Sequence, residues 1–199
     1  MPDKKPSRKN VQGLAKSLRK NQADARVEHG GKSAPGAGVG RDTPGTAGDA
    51  QPVSPLVRLI QSLGQEKIRF QIVGMMAVTL QGVIMTTIDT DIWVDLPERQ
   101  YIRLMNLCVK QGATALAPTL YVLSDGSLIN FLFRVDGVGS FDVEYKNAVS
   151  AKIEGEKVKL LPLEKILKSK KAIRRDKDEA HIFAIERFLK ARKKSEKKP

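Results

Sequence analysis

Cysteine is almost absent from this 199-residue chain, and the single thiol at Cys108 excludes an intrachain disulfide and a zinc site built from several thiolates. Histidine occurs only twice, at His29 and His181. His29 lies in a segment that reads as disordered, so no Ser-His-Asp or Cys-His grouping can be assembled. Aromatic residues make up only 5% of the chain, and nothing in the sequence supports a base-stacking role for its one tryptophan, Trp93. No stretch approaches the roughly 18 to 20 consecutive apolar residues of a membrane span. The opening MPDKKPSRKNVQGLAKSLRK lacks the apolar core of a secretory signal. A lone cysteine and no leader favour a reducing, cytoplasmic setting.

Charge, by contrast, is abundant and unevenly placed. The net charge is +13. Residues 1–50 hold 10 Lys and Arg against 5 Asp and Glu, and residues 151–199 hold 17 against 8, whereas the middle hundred hold 8 against 9. A mildly acidic core thus lies between basic flanks. Such flanks attract polyanions, including RNA, DNA and nucleotides, through phosphate contacts that salt screens. For the extreme C-terminus, ARKKSEKKP, plain solubility is the simpler explanation.

Residues 1–54, rich in Gly, Pro, Ser, Ala and charge, cannot bury enough apolar surface to offset their ordering entropy and read as a disordered tail. Order should span residues 55–192, with 193–199 a second basic tail. Within the ordered part, LVRLIQSLG predicts a helix closed by Gly64, and RFQIV a strand. Gly74 opens a helical run to Gly82, DTDIWVDL reads as a strand, and Pro97 starts a helix. LYVLSD, LINFLFRV, SFDVEYK and KVKLL read as further strands, and two helices complete the chain. This is a mixed α/β sheet flanked by helices, with a helical C-terminal element.

Within DTDIWV, Asp89 and Asp91 stand two apart and so share one face of a strand. Two close carboxylates raise each other's pKa unless a cation lies between them, and hard oxygen ligands suit Mg²⁺ or Mn²⁺. In FDVEYK, read as a strand, Asp142 and Glu144 share a face and supply a third acid. Three acids on neighbouring strands can hold the metals of phosphoryl or nucleotidyl transfer. Gly74 lies at a strand-to-helix turn 15 residues before Asp89, where backbone N–H groups can meet a triphosphate.

The stretch IVGMMAVTLQGVIMTTIDTDIWVDL resembles the opening signature of nucleotidyltransferase-fold proteins of the AbiEii/AbiGii toxin-like group. Gly74, Ala77, Gly82, Thr87, Asp89 and Asp91 match that pattern in register. Downstream, LLPLEKILKSKKAIRRDKDEAHI resembles the group's closing element through Ser169, Lys170, Ala172, Arg175, Lys177 and Asp178. Together the two elements and the stretch read as a strand with Asp142 cover about residues 68–190. The resemblance implies a nucleotidyltransferase fold and transfer of a nucleoside monophosphate from an NTP to an RNA (including tRNA) or protein acceptor, with a partner antitoxin. It implies metal ligation by Asp89 and Asp91, with Asp142 completing the set and Glu144 as fallback. Gly74, Met75, Thr87, Lys170 and Arg175 would face the nucleotide.

The chain departs from that pattern at Met75, Gln81 and Met85, which replace a glycine, a histidine and an arginine. Those departures weaken the anion-binding half and keep a second reading open: a degenerate module that binds nucleotide or RNA without turnover. Asp178 reads as a helix-start anchor for Arg174 or Arg175, His181 as a packed or half-exposed residue, and Cys108 as core. Met75, Met76 and Met85 read as packing residues.

Overall fold

The computed structural model describes residues 53–195. The expected disorder of residues 1–54 lies, apart from Val53 and Ser54, outside that range. The chain begins with α1 (Pro55–Gln65), whose N-cap Ser54 accepts a hydrogen bond from the Val57 amide. Proline at the first helical position suits a place where the missing N–H has no intrahelical partner. Next come β1 (Phe70–Val73), α2 (Gly74–Leu80), β2 (Asp89–Val94) and α3 (Tyr101–Lys110). Three strands follow, β3 (Thr114–Ala117), β4 (Leu120–Val122) and β5 (Leu128–Leu132), and then α4 (Phe141–Lys146). The hairpin β6 (Val149–Ile153) and β7 (Glu156–Leu160) leads to α5 (Leu163–Ile173) and α6 (Glu179–Ser195). No helix among the described residues is long and apolar enough to cross a membrane.

All seven strands form one mixed sheet in the order β3-β4-β5-β2-β1-β7-β6. β2 runs antiparallel to β1 and parallel to β5, and β1 meets β7 in parallel. The alternation of β2 divides the core. Ile92 and Val94 pack with Leu59 and Leu63 of α1 and with Leu104 and Cys108 of α3. Trp93 faces the opposite layer, among Met75 and Val78 of α2, Phe141 of α4, Leu163 and Ile166 of α5, and Ile185 of α6. Asp89 and Asp91 share the Trp93 face, so the acidic pair looks toward the α2/α5/α6 layer.

SFDVEYK is not a strand. Residues Phe141–Lys146 form α4, in which Phe141 and Tyr145 stack one turn apart at 5.1 Å and Phe141 meets Trp93 edge-on at 5.3 Å. Phe141 and Glu144, three apart, are the buried pair, so helical spacing overrode an apparent alternation. The strands that were not anticipated are β3, whose TALA is exposed throughout, and β6. β6 joins β7 through Glu154 and Gly155, both at positive φ (48° and 88°), a two-residue hairpin turn. α6 extends to Ser195, three residues past the expected boundary at 192.

Candidate functional site

The carboxyl end of β1 and the start of β2 form the floor of a cleft of about 300 Å³. Gly74, Asp89, Asp91 and Asn130 line it from the sheet side. Lys170, Ile173, Arg175 and Lys177 line it from α5 and the turn beyond, and Arg134 and Asp136 from the loop after β5. The register explains the floor. Val73 is the antiparallel partner of Asp91, and Asn130 its parallel partner on β5. Buried Leu163 and Ile166 anchor α5 against the sheet, each worth about 1.5–3 kcal/mol of burial. Lys170, one turn beyond Ile166 on the same face, is thereby held over the carboxylates.

Asp91 is held through one oxygen and crowded at the other. Asn130 Nδ2 donates to Oδ1 at 2.9 Å, and Thr119 Oγ1 donates to Asn130 Oδ1 at 3.2 Å, which sets the orientation of the amide. On the other side, a Cβ at Gly74 would stand 2.2 Å from Asp91 Oδ2. Gly74 also has φ +62°, so it meets both a left-handed backbone and a close approach. Burial pushes the Asp91 carboxyl above its ordinary value. The Asn130 hydrogen bond opposes that shift, the neighbouring Asp89 adds to it, and Lys170 and Arg175 draw it back. Asp89 is exposed, and the Thr87 hydroxyl donates to its carbonyl at 3.0 Å.

Lys170 and Arg175 are fixed by a buried acid. Lys170 Nζ donates to Asp178 Oδ1 and Arg175 Nε to Asp178 Oδ2, each at 2.8 Å. Burial alone would push the Asp178 carboxyl up; its two cationic donors more than offset this and hold it down to about 2. Asp178 therefore anchors both cations, Lys170 as well as the anticipated Arg175. His181 Nδ1 lies 3.3 Å from Lys170 Nζ. Burial, and then the Lys170 charge, lower its pKa, so it stays neutral at neutral pH and can accept from the ammonium.

The expected site residues divide. The fold brings Gly74, Asp89, Asp91, Lys170 and Arg175 together in the cleft. Met75 does not line it, because its side chain is buried among the core residues of α2. Thr87 is spent on Asp89 rather than aimed into the cleft. Asp142, expected on a strand beside the acidic pair, lies instead on α4 and pairs with Arg69 at 2.7 Å. Glu144, the fallback, is buried in the same helix, where its Oε1 accepts from Gly139 N and Lys165 Nζ, both at 2.9 Å. Neither acid lines the cleft, since a helix turns them away from the face that a strand would have given them. Gln81 ties α2 to the end of β7 by donating to the carbonyls of Ala77 and Leu161. Met85 packs against the core.

Sequence reasoning missed Asn130, Arg134 and Asp136. Asn130 carries no signal of its own, because only the β2–β5 register sets it beside Asp91. A divalent cation suits the pair: two oxygen donors, one of them disfavoured in its charged form by burial and by its neighbour, gain from a shared positive charge. Among the described residues no group of three or more His, Cys, Asp or Glu could hold a metal. Two carboxylates supplemented by water and phosphate oxygens match the habit of Mg²⁺.

No protein-family model matches the chain, and no curated protein matches it. Among solved structures, it is similar to the crystal structure of lincosamide antibiotic adenylyltransferase LnuA, lincomycin-bound. That match has a TM-score of 0.46 and 12% identity, covering 66% of this chain and 94% of the other. It is also similar to the solution structure of antibiotic-resistance factor ANT(2'')-Ia, with a TM-score of 0.42 and 15% identity, covering 57% of this chain and 66% of the other. Likenesses this distant leave the chemistry to be argued from the cleft.

Proposed function

We propose that this chain is a nucleotidyltransferase that moves a nucleoside monophosphate from an NTP to an acceptor hydroxyl, with Mg²⁺ or Mn²⁺ held by Asp89 and Asp91. One observation carries the proposal: a carboxylate pair on the cleft floor faces Lys170 and Arg175 on its opposite wall, and Asp178 fixes both cations. A triphosphate with a bound cation presents that alternation of charge. Lys170 supplies a compact charge and Arg175 a planar fork, both suited to phosphate oxygens. Asp89 and Asp91 would hold the metal, which would offset negative charge as it develops on the phosphate. The acceptor oxygen bonds to the α-phosphorus as the bond to the bridging oxygen breaks. Pyrophosphate leaves, and the hydroxyl proton passes to solvent. The likeness to the toxin group extends the proposal to an RNA or protein acceptor and a partner antitoxin.

A second reading, a nucleotide- or RNA-binding module without turnover, draws on Asn130. An amide stands beside Asp91 where a third carboxylate would otherwise complete the clamp, and Asp142 and Glu144 are engaged elsewhere. Incubating the full chain with each α-labelled NTP, Mg²⁺ or Mn²⁺, and RNA plus protein from a lysate separates the two. Label transferred by wild type, lost with EDTA and with Asp89→Asn or Asp91→Asn, supports the enzyme. Metal-dependent NTP binding without transfer supports the module. Neither transfer nor metal-dependent binding refutes both.

A further inference from the structure

α6 carries a basic stripe that the cleft chemistry does not use. Phe183, Arg187, Lys190 and Lys194 recur at spacings of four, three and four, and so lie on one helix face. All four are exposed, and Phe183 keeps 68% of its surface in solvent. Among the described residues Arg187, Lys190 and Lys194 make no salt bridge. Two acids border the stripe: Glu186, which pairs with Lys171 of α5 and also feels the charge of Lys190, and Glu179, one turn before Phe183. Together with Glu186 and Ala191, the four side chains line a hollow of about 330 Å³. A groove of about 540 Å³ between α5 and α6 adjoins it, sharing Phe183 and Glu186; Lys171, Arg174 and Arg175 line this groove alongside Asp176 and Glu179. Arg175 also lines the carboxylate cleft. The surface is thus continuous, from Asp89 and Asp91 past Arg175 and Phe183 to Lys194.

We propose that this α5–α6 surface binds single-stranded nucleic acid, with Arg187, Lys190 and Lys194 on successive phosphates and a base stacked on Phe183, the strand entering the cleft past Arg175. This rests on the nucleotidyl-transfer reading for its direction and names the acceptor class. The pattern of cations flanking one exposed ring is that of a strand-tracking surface, which needs positive charge for the backbone and a flat face for a base. From Phe183 to Lys194 the helix rises about 16 Å, room for roughly four or five stacked nucleotides. An acidic protein could satisfy the cations and pack on the ring, but protein interfaces are depleted of lysine, and two of the three cations here are lysines, which suit a phosphate backbone better.

The test is fluorescence anisotropy of a labelled 12-nucleotide single-stranded RNA with the full chain, across a salt series. Replacing Arg187, Lys190 and Lys194 together by Ala should lower the slope of log affinity against log salt by about 2, at roughly 0.7 per lost phosphate contact. Replacing Lys110, Lys146 and Lys152, exposed on other elements, removes the same charge and should change the slope far less. Phe183→Ala should weaken binding by roughly 5- to 150-fold, and Phe183→Leu, which keeps apolar bulk without a ring face, should not restore it. Equal effects from the two triple variants would overturn the proposal, as would Phe183→Ala binding like wild type or polyglutamate displacing the RNA from wild type and Phe183→Ala alike. Asp89→Asn should abolish transfer and leave RNA affinity intact. RNA bound on α6 without any transfer would sink the enzyme reading while the surface stands. Transfer to an acceptor other than RNA, with the α6 variants fully active and unaltered in RNA affinity, would sink the surface alone.

Discussion

Gly74→Ala is the substitution that bears most directly on the cleft. The glycine has φ +62°, and a left-handed backbone costs an L-residue about 1–2 kcal/mol. For a domain of this size that corresponds to a Tm lower by about 2–8 °C. The second effect is local. The new Cβ would lie 2.2 Å from Asp91 Oδ2, 3.1 Å from Cγ and 3.2 Å from Cβ. Oδ2 must move by about 1 Å to reach van der Waals distance, and Cγ and Cβ must give by a few tenths of an ångström, so the carboxylate leaves its present position on the floor of the cleft. Gly112→Ala isolates this effect. Gly112 has φ +74° and nothing within 4 Å of the added carbon, so it shares the backbone penalty and lacks the collision. Both variants should lose thermal stability by calorimetry, Gly74→Ala at least as much as Gly112→Ala because the collision adds to the shared backbone penalty. Only Gly74→Ala should also lose nucleotidyl transfer, on the order of 100-fold for a displacement near 1 Å, and weaken Mn²⁺ binding followed by electron paramagnetic resonance. A Gly74→Ala protein with wild-type metal affinity and rate would refute the claim that this glycine exists to admit Asp91. So would a Gly112→Ala protein equally impaired.

Asn130→Ala removes a hydrogen bond that favours the Asp91 carboxylate. The already raised pKa of Asp91 should climb further, so the acid limb of metal binding should move to higher pH; a limb that stays put would show that Asn130 is a bystander. Asp178 contributes stability that is present above its ordinary value of 3.8 and lost as pH falls through about 2, worth about 2 kcal/mol across that window. Asp178→Asn leaves Lys170 buried without its directly paired counter-charge and should cost about 3 kcal/mol at pH 7, read from the urea midpoint. A midpoint equal to that of wild type would contradict it. Cys108 is fully buried and its thiol is pushed up to about 12. It should resist a maleimide in the native protein and label only on unfolding, and fast native labelling would contradict the packing of α3 described here.

Much of the fold could be read locally. Ser54-Pro55 and Gly64 frame α1, Gly74 marks the strand-to-helix turn, and the DTDIWV alternation both identifies β2 and sorts its acids from its core residues. α4 was misread because six residues hold too few turns for a helical period to outweigh alternation. Phe-Asp-Val-Glu-Tyr satisfies both patterns until Trp93 selects the helical one. β3 was missed because TALA has no buried face to display, and β6 because its evidence is a partner strand and a two-residue Glu-Gly turn.

The candidate site shows the same division. Asp89 and Asp91 could be paired from sequence because a strand's period of two is a property of the backbone, whatever surrounds it. Lys170 and Arg175 were legible as cations, and their anchoring by a single buried Asp178 was anticipated only for Arg175. The sequence could not show that Asp142 would be drawn to Arg69, that Asn130 would stand against Asp91, or that a Cβ at position 74 would strike a carboxylate. Each of these depends on residues 17 to 73 positions apart meeting across strand pairings or helix packing. Hydrophobic burial of Trp93, Leu163 and Ile166 sets those meetings, and the polar residues are carried along with the elements that hold them. Chain-local physics determined which groups could do chemistry; packing decided which of them share a cleft.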